Sequence, residues 1–348
     1  MNTKLEIKIE ERVLHFKQPA GTSRGVYTER KSWLVAVSDG EKVGCGECAP
    51  LPDLSCDARA DYGEVLRRFC DQVEQTGEID YEAMRDFPSM LFGLETALLE
   101  IRARSSDVRG RLFDTAFSRG EVGIPINGLV WMGNYDEMLG RMEQKLEQGF
   151  RCVKLKIGAI DFEQELSLVK RIRDRFSSHE VELRLDANGA FPFEEALYKL
   201  ELLSKYNIHS IEQPIRQGQW ALMAELCHKS PLPIALDEEL IGVNNAEQKA
   251  QLLSMIKPVY IVLKPSLHGG MCGCREWIET ALRYDVGSWI TSALESNVGL
   301  NAIAQFCSAV YGDHITMPQG LGTGQLFTDN IPMPLEIRND QLWISRSS

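Results

Sequence analysis

Two rhythms of apolar and polar residues divide the chain. In the first hundred residues Leu5-Glu6-Ile7-Lys8-Ile9 alternates with period two, and Trp33-Leu34-Val35-Ala36-Val37 is a second apolar run. Ser38-Asp39-Gly40 supplies turn chemistry between Val37 and Val43, which predicts a hairpin. Residues 62–73 and 81–103 then carry apolar side chains three and four apart, the spacing of helices. Strands followed by helices make an α+β unit over residues 1–105.

From about residue 124 short apolar runs alternate with amphipathic stretches. The runs predict strands at 124–130, 152–157, 181–185, 210–215, 233–236, 260–263 and 288–291. Between and after them, 135–148, 161–176, 194–206, 219–228, 245–255, 271–284 and 300–311 have the length and spacing of helices. These seven alternations, with a short eighth strand expected at 315–317, predict an α/β fold, a (β/α) TIM-type barrel over residues 120–324. An open doubly wound sheet is the alternative, but no G-x-G-x-x-G follows the first strand. The alternation of Leu335-Glu336-Ile337 resumes in Trp343-Ile344, and residues 325–348 are expected to rejoin the N-terminal unit as an added strand.

Composition narrows the function classes. The chain has 348 residues, 44% of them hydrophobic and 25% charged, which excludes a disordered or fibrous protein. Its net charge of −12 argues against nucleic acid as a partner, although a local patch of opposite sign still allows a small anionic substrate. No run of eighteen apolar residues predicts a membrane span, and the N-terminus lacks the continuous apolar stretch of a signal peptide. Nine scattered cysteines read as reduced thiols in a cytoplasmic protein, either monomer or homo-oligomer. Cys45-Gly46-Glu47-Cys48 and Cys272-Gly273-Cys274 lack the second ligand pair of a zinc site and are expected to be small core residues.

Candidate chemistry comes from where charges fall in the barrel half. Lys156 closes one predicted strand, Asp186 the next, Glu212 sits in Ile211-Glu212-Gln213-Pro214, Asp237 follows Leu236, and Lys264 follows Leu263. The intervals of 30, 26, 25 and 27 residues are each about one βα unit. Five charges at successive strand ends therefore form one ring around one mouth, where barrel enzymes keep their chemistry. Taken singly, each acid reads as a helix cap; taken together, three converging carboxylates repel unless a cation neutralises them. With no His in register, oxygen ligands point to Mg²⁺, with Mn²⁺ as a possible substitute. A lysine beside such a cation can act as a base, and a second cation opposite can stabilise the carbanion formed next to a carboxylate. The ring thus predicts abstraction of a proton α to a carboxylate. A Schiff-base lysine is the competing use of a barrel lysine, but it calls for no three acids.

These residues resemble the enolase superfamily along nearly the whole chain. The matching fragments are Lys154-Leu155-Lys156, Asp186-Ala187-Asn188, Glu212-Gln213-Pro214, Asp237-Glu238, and Leu263-Lys264-Pro265 ahead of Gly269-Gly270. The segment from Arg30 to Gly46-Glu47-Cys48-Ala49-Pro50-Leu51-Pro52 is similar to the superfamily's capping domain, and Thr22-Ser23-Arg24-Gly25 to a capping loop over the mouth. The lysine layout resembles the muconate-lactonizing subgroup, and within it the o-succinylbenzoate synthase family. Arg184, Lys264-Pro265-Ser266 and Ser292-Ala293-Leu294-Glu295-Ser296 favour that family, whereas Gly320-Leu321-Gly322 lacks the Asp-x-Asp pair of dipeptide epimerases. Glu239 after Asp237-Glu238, where the family commonly has Ser, and Gly322, where many members have Asp, depart from its pattern.

The resemblance implies Mg²⁺ on Asp186, Glu212 and Asp237, and syn dehydration of 2-succinyl-6-hydroxy-2,4-cyclohexadiene-1-carboxylate to 2-succinylbenzoate, a step of menaquinone biosynthesis. It implies Lys156 as base and then acid, and Lys264 as the charge over the opposite face. It also implies substrate-binding or supporting places for Lys154, Arg184, Asn188, Ser292 and Gly320. The alternatives are an N-acyl amino acid racemase or dipeptide epimerase of the same superfamily, and a barrel scaffold without catalysis.

Overall fold

The computed structural model describes residues 4–22, 25–103 and 110–345. The expected capping loop falls partly outside them, at Ser23 and Arg24. Strands β1 (Glu6–Thr22), β2 (Gly25–Ser38) and β3 (Val43–Cys48) form an antiparallel sheet. The turn between β2 and β3 is held by Asp39, whose carboxylate accepts from the N–H groups of Glu41 and Lys42. Helices α1 (Tyr62–Thr76) and α2 (Pro88–Arg102) pack on this sheet through Val35, Val37, Leu66, Leu94 and Leu98. The approach of β3 to α2 depends on missing side chains. A Cβ on Gly46 would lie 1.8 Å from the Gly93 carbonyl, and one on Gly44 would lie 2.0 Å from that of Ala97.

The second helix starts later than the expected 81–103, because residues 81–86 form turns. Pro88 disfavours helical backbone at Phe87 and is itself suited to the first helical position, so the helix begins there. Asp57 accepts from Ser89 N–H at 2.8 Å and caps the new end.

The barrel half begins with β4 (Ile124–Pro125) and β5 (Gly128–Val130). It continues through α3 (Tyr135–Glu147), β6 (Cys152–Lys156), α4 (Phe162–Arg175), β7 (Glu182–Asp186), α5 (Phe193–Ser204), β8 (Ser210–Glu212), α6 (Trp220–Lys229) and β9 (Ile234–Leu236). It closes with α7 (Ala246–Ile256), β10 (Tyr260–Leu263), α8 (Gly270–Arg283), β11 (Gly287–Ile290) and α9 (Asn297–Tyr311). Strands β5 to β11 pair in chain order as one parallel sheet. Their outward residues, among them Leu155, Leu185, Ile211, Leu236, Leu263 and Ile290, pack with the helices into one core. Inward-facing Ala235, Val262 and Trp289 form a separate cluster with Met317, as period-two alternation around a curved parallel sheet requires.

Two expectations are corrected. The eighth strand is not at 315–317: among the described residues the sheet edges are joined by parallel bridges from Gln319 to Ile126 and from Gly320 to Thr291. A side chain completes this seam, since Gln319 Oε1 accepts from Ile290 N–H at 2.7 Å while Nε2 donates to Met317 O at 2.8 Å. An apolar run is not needed for that, and Met317 instead fills the barrel interior. The C-terminal strands β12 (Leu335–Arg338) and β13 (Gln341–Ile344) do not join the N-terminal sheet; they form a hairpin that pairs with β4. Residues just before them do meet β1, where Lys17 N–H donates to Leu326 O and Phe16 bridges Phe327.

Two acids of the N-terminal half sit at the starts of barrel helices. Glu95 of α2 accepts from Met271 and Cys272 N–H at 2.5 and 2.9 Å in the first turn of α8. Glu47 of β3 accepts from Ser296 and Gly299 N–H, each at 3.0 Å, at the start of α9. Both meet the positive end of a helix dipole.

Burial pushes the Glu95 carboxyl up from its ordinary 4.5 to about 8, against the pull of Met271 and Cys272 N–H. The folded chain then holds this proton more tightly than the unfolded chain. The stabilisation is therefore complete below about pH 4.5 and is lost as pH rises through about 8. Urea midpoints measured between pH 5 and 8 should fall with rising pH, and Glu95→Gln should flatten that slope.

Candidate active site

Register brings the predicted charges together. Lys156 pairs with Asp186 across β6 and β7, and Asp186 pairs with Glu212 across β7 and β8. Asp237 and Lys264 each follow directly on the end of their strands, β9 and β10. Alternation turns all five side chains inward at the carboxyl ends of the strands. The turns behind two of the acids are sharp, with Asn188 at φ 44° and Gln213 at φ 38°. The left-handed backbone of Gln213 is held by its own amide, which accepts from Asp237 and Glu239 N–H at 3.2 Å and donates to Glu239 at 3.0 Å.

The acids and lysines interlock. Lys154 Nζ bonds Glu212 and lies 3.0 Å from Asp186 Oδ2. Lys156 Nζ is 3.0 Å from the same oxygen and donates to Asn188 Oδ1 at 2.7 Å. Lys264 Nζ donates to Asp237 Oδ1 at 2.6 Å. Asn188 in turn donates to Glu238 at 3.0 Å.

Burial raises the cost of every charge, and neighbours decide the outcome. Burial pushes the Asp186 carboxyl up, but Lys154, Lys156 and Lys264 outweigh it and hold it below the ordinary carboxylate range. Glu212 goes the other way, to about 7, because burial and the charges of Asp186 and Asp237 exceed the pull of Lys154. Burial lowers the Lys154 ammonium, but Asp186, Glu212 and Asp237 together keep it above its ordinary value. Lys264 is likewise raised, by Asp237 and Glu238 against burial.

The three carboxylates form a candidate donor set for a divalent cation. Among the described residues no three His, Cys, Asp or Glu side chains form a ready-made ligand cluster, and at this mouth lysine ammonium groups lie against the acids. The chemistry of the set fits a hard cation nonetheless: three carboxylates at adjacent strand ends, without His or Cys. One oxygen, Glu212 Oε1, is fully buried without a hydrogen-bond partner.

A cavity of about 100 Å³ lies over this rim. Lys154, Lys156, Asp186, Asn188, Lys264, Ser292 and Gly320 all line it, while Glu212 and Asp237 lie behind the lysines. Ser292 bonds Thr323 at 2.6 Å rather than standing free. A Cβ on Gly320 would meet Thr291 Oγ1 at 2.1 Å, so this position admits no side chain without movement.

Arg184 is the residue the geometry does not bring to the rim. It faces inward like Asp186 but lies one layer deeper, donating to Glu182 at 2.7 Å and to Pro318 O at 2.9 Å, with Trp289 stacked 4.5 Å away. Two residues along a strand return to the same face but not to the same depth.

The rest of the cavity wall escaped sequence reasoning. Tyr27, Leu51 and Leu54 come from the N-terminal half, with Trp131, Glu238 and Leu294 from the barrel. Lys156 Nζ lies 5.8 Å from the Trp131 ring centre. Behind the wall, buried Arg30 bonds Ala49, Pro50, Ala293 and Leu294 carbonyls, tying the loop that carries Leu51 to the loop after β11. Glu295 bonds Ser266 and Ala293 N–H from the other side. The available signals were the family-like fragments that hold Leu51, Glu238 and Leu294, and with them the charges of Arg30 and Glu295.

Comparisons with known proteins cover both halves. Residues 137–346 match the family described as enolase C-terminal domain-like, and residues 22–101 match the MenC N-terminal domain. The chain is 44% identical to the o-succinylbenzoate synthase of Desulfotalea psychrophila, over 98% of this chain and 99% of that protein. It is 24% identical to the L-Ala-D/L-Glu epimerase of Francisella tularensis subsp. novicida, over 70% of this chain and 67% of that one. The crystal structure of MenC from Desulfotalea psychrophila superposes with a TM-score of 0.82 at 41% identity, covering 98% of this chain and 100% of that chain. The substrate-liganded L-Ala-D/L-Glu epimerase of Bacillus subtilis gives 0.81 at 21% identity, over 97% and 95%, a likeness of fold alone.

Arg30→Met keeps the bulk of the side chain but leaves four carbonyls without their donor. Chemical denaturation should show a loss of about 3 kcal/mol in unfolding free energy.

Proposed function

The chain belongs to the enolase superfamily, and from that premise we propose that it catalyses the o-succinylbenzoate synthase reaction. This is the syn dehydration of 2-succinyl-6-hydroxy-2,4-cyclohexadiene-1-carboxylate to 2-succinylbenzoate, by a hydro-lyase of menaquinone biosynthesis. The observation that carries the reading is the 44% identity to a synthase of that activity across both halves of the chain. The enzyme is assigned to the cytoplasm on its nine free cysteines, which stay reduced there.

Members of the superfamily generally use Mg²⁺, and in this chain Asp186, Glu212 and Asp237 are the residues that would hold it. Bound there, a divalent cation supplies Lewis-acid neutralisation of a substrate carboxylate. Lys156, in its neutral form, takes the α-proton and returns it to the departing hydroxyl on the same face, so that water leaves and the ring becomes aromatic. Lys264 stands on the opposite face, where its ammonium offsets the charge that spreads into the enediolate. Lys154, against both Asp186 and Glu212, holds these acids in place. The apolar wall from Leu51, Leu54 and Leu294 excludes water from the ring, which strengthens each of these charge interactions.

Two lysines on one cavity also suit a racemase or epimerase, in which each would exchange a proton with the shared carbanion. Mg²⁺-loaded protein in D₂O separates the readings. Aromatisation of the cyclohexadiene is expected; α-deuteration of N-acyl amino acids or dipeptides without that aromatisation would favour epimerisation, and silence on all substrates a scaffold.

Lys156→Ala and Lys264→Ala should each lower turnover by about 10³-fold while thermal unfolding stays unchanged. Asp237→Asn should weaken Mg²⁺ binding at least about tenfold by calorimetry, and wild-type affinity there would remove Asp237 from the ligand set.

A further inference from the structure

The barrel wall is incomplete at its seam. Strand β5 pairs with β6 on one edge; among the described residues no strand pairs with its other edge, and it is the segment before it, at Ile126, that bridges Gln319. Beyond that bridge a second cavity, of about 520 Å³, opens beside the first. The two share Asn127, Leu129, Trp131, Gly322 and Thr323 as lining residues, so they adjoin at the seam.

The charge of this side cavity runs against that of the chain. In a protein of net charge −12, the described lining residues include Lys17, Arg141 and Lys145 and no Asp or Glu. Arg141 is committed to the wall itself: its Nη1 donates to Trp131 O at 3.2 Å and to Met132 O at 2.9 Å, and its Nη2 lies 3.8 Å from Glu137. Lys145 has no such commitment. Its stem lies against Gly128, where a Cβ would come within 3.2 Å, and its Nζ reaches only the Gln148 amide oxygen at 3.4 Å and the Phe150 ring at 5.0 Å. No carboxylate among the described residues is paired with it, and burial pulls its ammonium below the ordinary value with nothing opposing. A part-buried cation without a counter-ion suits an anionic ligand.

The inner cavity supplies the complementary need. Its cations, Lys154, Lys156 and Lys264, all stand at the rim against acids. Away from the rim its described wall is Tyr27, Leu51, Leu54, Leu129, Trp131 and Leu294 with Glu238 and neutral polar groups, so among the described residues no further cation there meets a second carboxylate of the ligand. The substrate and product of the reaction proposed above are dicarboxylates, with one group on the ring and one at the end of the succinyl chain.

We propose that the side cavity receives the succinyl carboxylate through the seam and that Lys145 is the cation that meets it. This assignment rests on the functional reading above. It makes the gap beside β5 a specificity element, selecting a ligand anionic at both ends over one that is anionic only at the rim.

Calorimetry of the Mg²⁺-loaded protein with 2-succinylbenzoate and with its succinyl monomethyl ester tests it. Lys145→Gln should weaken binding of the diacid about tenfold and leave binding of the ester unchanged, while Lys145→Arg should keep the preference for the diacid. Equal diacid affinity in wild type and Lys145→Gln would overturn the assignment and leave the functional reading standing. A wild type that neither aromatises the cyclohexadiene nor binds 2-succinylbenzoate would overturn both.

Discussion

A carboxylate taken out of water must be met by positive charge, or it costs several kcal/mol. At this barrel mouth three acids obey that constraint together. Asp186 and Glu212 share Lys154, Asp186 also meets Lys156, and Asp237 is covered by Lys264. Asp186 and Lys154 each meet two partners of opposite charge, so removing one group leaves others buried and unmatched. The same density of charge is what gives the mouth its reactivity, because a base, an opposing cation and a set of oxygen donors lie within one cavity. The environments of Asp186 and Glu212 differ in sign of effect although both are buried, since Asp186 is crossed by three lysines and Glu212 mainly by one.

The N-terminal half completes this mouth from above. It brings Tyr27, Leu51 and Leu54 over the rim and anchors them through Arg30, whose four carbonyl partners lie half on each side of the junction. An apolar roof over a charged floor is the physical condition for strong electrostatics at the reacting carbon.

Much of this was legible in the sequence. The five strand-end charges could be read because period two and the βα interval are both visible in one dimension, and together they fix face and height. The start of α2 was also present in the sequence, since Pro88 marks it, although helical spacing alone placed it too early. The seam was not legible: its ladder is completed by the side chain of Gln319 and by Gly320, neither of which carries an apolar signal. The partner of the C-terminal hairpin was hidden for another reason, because alternation encodes faces and not neighbours. Arg184 shows the limit of periodicity, sharing the face of Asp186 but not its depth. Arg30 and Glu47 were legible only as members of a motif, because a buried charge declares its role only beside its distant partners.

Glu95 and Glu47 reach from one half of the chain to the first turns of two successive helices of the other. Those contacts are made by backbone amides, whose positions depend on helix placement rather than on side-chain identity. Grafting this roof onto a related barrel would therefore succeed only where the recipient presents both helix starts at the same spacing.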